Sequence, residues 1–267
     1  MLLQEKNAVI YGAAGAIGTA VARAFAREGA RLFLAGRTLG TLGALAREIN
    51  SAGGAADTAQ VDALDPRAVR EHADAVAGKA GSIDVSFNAV GVDHVQGRPL
   101  TELSPEDFSL PIATHTTTQF LTATAAARHM MRQRSGVILP LSATAARVTH
   151  PSDGFGVACA AVEAFSRLLA GEVGPYGVRV LCLRPDAIPE TARLGSHTRQ
   201  VWGRAAEHLG TTLEQLLQDD GLGVPGSLLR RNPSLEDVAN VAAFMASDRA
   251  GGMTATVANI SCGSVVD

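Results

Sequence analysis

Residues 8–18 read Ala8-Val9-Ile10-Tyr11-Gly12-Ala13-Ala14-Gly15-Ala16-Ile17-Gly18, and this stretch decides the fold. Four apolar residues make a run of strand length, and the glycines that follow end it. Ile17, Val21, Ala24 and Phe25 then recur at helical spacing, so the glycine-rich segment is the turn between a strand and a helix. Glycine has no Cβ, which lets the chain turn tightly and lets backbone N–H groups approach an anion that the helix N-terminus stabilises. A glycine motif held between a strand and a helix is the mark of a pyrophosphate-binding turn in a dinucleotide-binding sheet.

The same rhythm continues outward from that turn. Further strands are expected at residues 31–35, 57–61, 83–87, 137–141, 178–183 and 256–260. Helices are expected at about 39–49, from Asp65-Pro66 onward, from Ser104-Pro105-Glu106-Asp107 to about 134, over 157–173, and after Ser234-Leu235-Glu236-Asp237. The serine and aspartate starts are N-caps, with proline pre-set for the first helical position. Strand–helix alternation at this spacing predicts one α/β domain over residues 1–267, a doubly wound parallel sheet with helices on both faces. Residues 185–233 break the rhythm. An insert there, after a late strand, is expected to lie as a lid over the carboxyl ends of the strands, where ligands bind.

Composition narrows the function class. The 267 residues are 46% hydrophobic, with 23 basic and 26 acidic side chains and a net charge of −3. Interspersed charges with a slight acidic excess give no footprint for nucleic acid or an anionic membrane. Cys159, Cys182 and Cys262 are widely spaced and form no Cys-x-x-Cys pair, so neither a disulfide frame nor a metal site is expected. No signal peptide or bilayer-length apolar run is evident, and the expectation is a cytoplasmic protein.

These motifs, taken in order, resemble the short-chain dehydrogenase/reductase family from about Asn7 to Gly263. Phe87-Asn88-Ala89-Val90-Gly91 stands where the family has Asn-Asn-Ala-Gly, and Gly174-Pro175-Tyr176-Gly177-Val178-Arg179-Val180 precedes a late strand as it does there. The resemblance implies a nicotinamide dinucleotide held by Gly12, Gly15, Ile17 and Gly18, by Asp62 at the adenine, and by Asn88 to Gly91 along the cofactor. Tyr11 replaces the usual threonine, and Ala16 replaces the middle glycine of Gly-x-x-x-Gly-x-Gly. Where NAD-preferring members carry an acidic residue after the second strand, this chain has Gly36 and then Arg37. A guanidinium there suits a 2′-phosphate through a charge-assisted bond, so the expected cofactor is NADP(H).

The departures fall on the reaction site. Phe155-Gly156-Val157-Ala158-Cys159 stands at the family's Tyr-x-x-x-Lys, so both the proton-exchanging tyrosine and the lysine on the nicotinamide ribose are missing. The family asparagine maps to His115, and the family serine to either Ser142 or Ala143. Phenylalanine donates no proton, and losing a general acid forfeits roughly 10²–10⁴ in rate. His115 is the leading replacement acid, with Ser142 beside it. His150, Asp153, Asp93, His94 and Cys159 also map near the strand ends. Cys159 reads as a packed thiol, because a reactive one needs a lowered pKa. Asp186 replaces glycine after Pro185, and Ile260-Ser261-Cys262-Gly263 replaces Val-Asp-Gly-Gly.

The expected function is an NADP(H)-binding oxidoreductase that reduces an activated alkene, imine or carbonyl with a non-standard proton donor. Two alternatives stand beside it: a non-redox cyclase, lyase or isomerase on the same scaffold, and a catalytically silent NADP(H)-binding subunit. Trp202 and the leucines of the insert point to an apolar small-molecule substrate. Family resemblance implies a homo-oligomer, packed through the long helix and the helix after Cys159.

Overall fold

A computed structural model describes residues 1–149, 153–218 and 226–267. Among these, seven strands form one sheet: β1 (Asn7–Tyr11), β2 (Arg31–Gly36), β3 (Ala55–Gln60), β4 (Val85–Asn88), β5 (Gly136–Leu139), β6 (Val178–Pro185) and β7 (Thr256–Ile260). All neighbours pair in parallel in the order β3-β2-β1-β4-β5-β6-β7. The order reverses between β1 and β4. That switch point opens a crevice at the carboxyl ends of the strands, the place where such sheets bind ligands.

Helices α1 (Ala16–Arg27), α2 (Leu39–Ser51), α3 (Pro66–Ala80), α4 (Pro105–Gln133), α5 (Asp153–Val173), α6 (Pro189–Arg193), α7 (His197–His208), α8 (Leu213–Gln218) and α9 (Leu235–Ala246) complete the description. The two faces of the sheet feed two cores. One joins Ile10, Leu34 and Phe87 to α1, α2 and α9 through Phe25, Leu42 and Ala242. The other joins Val9, Phe33 and Ile138 to α3, α4 and α5 through Val76, Met130 and Leu169. Adjacent strand residues thus point to opposite cores, and burial on both faces is why the strands read as continuous apolar runs.

The caps expected from sequence form. Asp65 accepts from the amides of Arg67 and Ala68, Ser104 accepts from Asp107, and Ser234 with Asp237 closes a full capping box. Boundaries moved where chemistry required it. β5 stops at Leu139 because Pro140 has no N–H for the ladder, although Leu141 still bridges to Leu183. β3 starts earlier than expected and is partly exposed, as an edge strand should be. α5 starts at Asp153, before the expected residue 157. Over Asp153–Tyr176 it is long and apolar enough by composition to cross a membrane, contrary to the expectation of no such run. Its Leu169, Ala170 and Val173 instead pack in the second core.

Candidate active site

A cleft of about 870 Å³ runs along the carboxyl ends of the strands, from the β1–α1 turn to the insert after β6. Its floor at one end is the glycine turn. Gly12 has φ +70°, and a Cβ there would stand 2.6 Å from the backbone of Ala89. A Cβ on Gly18 would stand 2.3 Å from the Gly12 carbonyl oxygen. Gly12 therefore serves the close approach of β1 to β4, and Gly18 the packing of α1 onto its own turn. Gly15 caps α1 without any side-chain bond, so the first-turn N–H groups at Ala16, Ile17 and Gly18 keep their donors for a ligand. Gly12, Gly15, Ala16 and Ile17 line the cleft, whereas Gly18 lies beneath it.

Arg37 and Asp62 stand at the same end. Arg37 is exposed on the cleft wall beyond β2, and no ion pair engages its guanidinium among the described residues. Asp62 lines the cleft while its Oδ1 accepts from the Leu64 amide at 3.0 Å. Asn88 lies below the surface. Its amide donates to Thr122 Oγ1 at 2.9 Å and its Oδ1 accepts from the Val90 amide at 2.9 Å, so it shapes the Ala89-Val90-Gly91 wall rather than lining the cleft. Gly91 does line it, with the ring of His197 from α7 packed against it.

At the opposite end the ring of Phe155 forms part of the wall. His94 stacks on it, with centroids 4.3 Å apart and planes 13° apart, and His115 lies tilted at 5.8 Å. Each imidazole is tied to a carbonyl. His94 Nδ1 is 2.9 Å from Val92 O, and His115 Nε2 is 3.0 Å from Leu141 O. A carbonyl only accepts, so these nitrogens carry the protons and the tautomers are set. The other nitrogens, His94 Nε2 and His115 Nδ1, have no partner among the described residues. Burial pushes both rings down to about 4, so at neutral pH both are uncharged and present acceptor lone pairs.

The remaining sequence candidates separate from the cleft. Ser142 borders it, yet its hydroxyl donates inward, to Glu163 Oε1 at 3.1 Å and the Cys159 carbonyl at 3.3 Å. Cys159 is fully buried and does not line the cleft, and burial pushes its thiol up. Asp153 opens α5 at φ +50°, buried, with neither carboxylate oxygen hydrogen-bonded to a described side chain. Burial raises it to about 7. Asp93 pairs with Arg204 on α7, and His150 lies outside the described residues. Asp186 lines the cleft and accepts from Thr144 Oγ1 at 2.6 Å, the Ala187 amide at 2.8 Å and Ser264 Oγ.

Two features escaped sequence reasoning. One is the His94–Phe155 stack. The other is a charge network between α5, β6 and the last residue, in which buried Arg184 meets buried Glu163 at 3.4 Å and also binds the half-exposed Asp267. Its signal was a charge amid apolar neighbours in each of two segments, Glu163 in Ala160-Ala161-Val162-Glu163-Ala164-Phe165 and Arg184 in Leu181-Cys182-Leu183-Arg184-Pro185. Buried charges persist only when paired, so those two positions could have been matched.

Part of the insert lines the cleft. Ala192, Val201 and Trp202 make a small core with Leu213 and Leu217, and Trp202 reaches the cleft. Arg204 and His208 of α7 tie it to the loop after β4, through Asp93, the His94 carbonyl and the Gln96 carbonyl.

Residues 12–264 match a family profile described as enoyl-(acyl carrier protein) reductase. The chain is 31% identical to D-threitol dehydrogenase of Mycolicibacterium smegmatis over 251 residues, spanning 93% of this chain and 88% of the relative. It is 27% identical to the short-chain reductase protein NovJ of Streptomyces niveus, spanning 97% and 94%. Among solved structures, sorbitol-6-phosphate 2-dehydrogenase SrlD of Erwinia amylovora superposes with a TM-score of 0.85 at 27% identity, covering 97% of this chain and 100% of the other. Sheet order, glycine turn and full-length similarity agree, and the chain belongs to the short-chain dehydrogenase/reductase family of oxidoreductases.

Proposed function

We propose that this protein is an NADP(H)-dependent oxidoreductase acting on a small molecule with an apolar body, in which imidazole takes over the role of the family tyrosine. The observation that carries the reading is the combination of an intact dinucleotide cradle with a histidine pair around Phe155. Gly12 and Gly18 leave no room for a side chain, no side chain caps the α1 terminus, and Arg37 at the lip has no ion-pair partner among the described residues. These residues fit a dinucleotide with its pyrophosphate on α1 and a 2′-phosphate at Arg37. When bound, that group supplies hydride to, or accepts it from, a substrate carbon.

The protein's own part is to orient, exclude water and manage the proton. The α7 roof and Trp202 cover the substrate end. His115, fixed by Leu141 O, presents Nδ1 as an acceptor. It takes a proton from a substrate in the oxidative direction and returns it from the imidazolium in the reductive one. Ser142, bound to Glu163, acts as a positioning residue for the β5–α5 junction. Assembly is assigned to the α4 and α5 faces, which expose Phe120, Val157 and Leu168.

Turnover of NADPH with a panel of activated alkenes, imines and ketones tests this. His115→Ala is expected to lower kcat by about 10²-fold or more while NADPH affinity stays unchanged. Unaltered kcat in that variant removes His115 from the chemistry.

A further inference from the structure

We infer that the substrate end of this cleft is built for a cationic nitrogen, an iminium that is reduced to an amine, rather than for a neutral ketone or alcohol. The inference rests on the oxidoreductase reading above and narrows its substrate class.

Four observations converge. His94 and His115 are each more than nine-tenths buried, line the cleft, and have one nitrogen without a partner among the described residues. The carbonyls of Val92 and Leu141 fix those nitrogens as acceptors, so they welcome an N–H and repel a carbonyl oxygen. Asp186 lines the same cleft as a negative charge, its carboxylate held by Thr144, the Ala187 amide and Ser264. Phe155 and Trp202 add aromatic walls, whose faces attract cations. Among the described residues, the only lysine or arginine side chains on the cleft wall are Arg23 and Arg37, at the glycine-turn end, and Arg23 is paired with Glu48. The substrate end is therefore rich in acceptors and free of fixed positive charge.

The same arrangement explains how reduction proceeds without tyrosine. A ketone needs hydride at carbon and a proton at oxygen. An iminium arrives with its proton already on nitrogen. A bound, reduced dinucleotide would supply hydride for the new C–H bond, while the C=N π bond breaks and its electron pair becomes the lone pair of a neutral amine. The dinucleotide would be oxidised and the carbon reduced, and the proton that His115 supplies to a neutral substrate would already sit on the nitrogen. Acceptors that hold the N–H through this step are what the missing acid leaves room for.

The test pairs ligands of one shape. Binding of 1,2,3,4-tetrahydroisoquinoline, as its ammonium ion, and of 2-tetralol is measured by calorimetry with and without saturating NADP⁺. NADPH oxidation is followed with 3,4-dihydroisoquinoline and with 2-tetralone. The expected result is about tenfold or greater preference for the nitrogen member of each pair, the size of one charge-assisted hydrogen bond. His94→Leu should erase that preference without changing NADP⁺ affinity, and His94→Gln, which keeps an acceptor, should restore part of it. Equal or weaker binding of the ammonium ligand, no binding of either ligand at millimolar concentration, or a preference that survives in His94→Leu overturns the inference. Failure of NADP⁺ to bind in the same titrations counts against the oxidoreductase reading instead, since the ligand preference is also read without nucleotide.

Discussion

Phe155 changes what its neighbours must be. A tyrosine there would offer a hydroxyl, whereas phenylalanine offers only a face, and His94 stacks on that face. The stack was illegible in the sequence because its members are far apart and meet only when the loop after β4 folds over the start of α5. The glycine turn and the position of Arg37 on the cleft wall were legible because each is local to one turn or one strand end. Burial of neutral imidazoles has a measurable consequence. His72, His94 and His115 are each lowered from 6.5 to about 4 by desolvation. Their stabilising contribution is complete above pH 6.5 and is lost as pH falls toward 4, since the unfolded chain binds the protons first. Asp153, raised to about 7 by burial, works in the opposite sense between pH 4 and 7. Three groups outweigh one, and the thermal midpoint should fall by about 5 °C or more between pH 7 and pH 5. A flat midpoint in calorimetry over that range would show that these rings are not buried neutral.

At the scale of elements, the sheet positions the cleft and part of the insert lines it. The sequence marked residues 185–233 as a departure from the strand–helix rhythm, and α6, α7 and α8 occupy part of that stretch. What it could not reveal is how α7 is held. Arg204 and His208 bind the loop that carries His94, and His197 rests on Gly91. An exposed ion pair alone contributes under about 1 kcal/mol, but Arg204 also donates to the His94 carbonyl, so its loss frees two segments together. Arg204→Ala is expected to speed amide exchange in residues 91–97 and 197–208 severalfold, with a thermal midpoint shifted by about 3 °C or less. Unchanged exchange in both segments would mean that the roof is held by its apolar contacts alone.

For the whole molecule, family membership and architecture were readable from residues 8–18 outward, because strand–helix alternation and a glycine turn are local patterns that tertiary packing reinforces. The chemistry was less readable, because it depends on which side chains converge from α4, α5 and the loops after β4 and β5. We propose self-association through the exposed faces of α4 and α5. Phe120 and Leu168 are 51% and 76% exposed on α4 and α5, and Phe120 meets Phe165 edge-on at 6.0 Å. An apolar surface of this kind calls for a partner. Light scattering should show an oligomer that Leu168→Glu shifts toward monomer; a monomeric parent protein would contradict the assignment.

We propose that a working dinucleotide cradle persists in this family member without the tyrosine and lysine, and that Arg37 selects the phosphorylated cofactor. Calorimetric titration of the protein, freed of any bound nucleotide, with NADPH and with NADH tests it directly. The account predicts micromolar or tighter NADPH binding and much weaker NADH binding. In Arg37→Ala the NADPH affinity should fall by about 10- to 150-fold, with NADH unaffected. Equal affinity for the two nucleotides would contradict the role given to Arg37, and binding of neither would contradict the cradle itself.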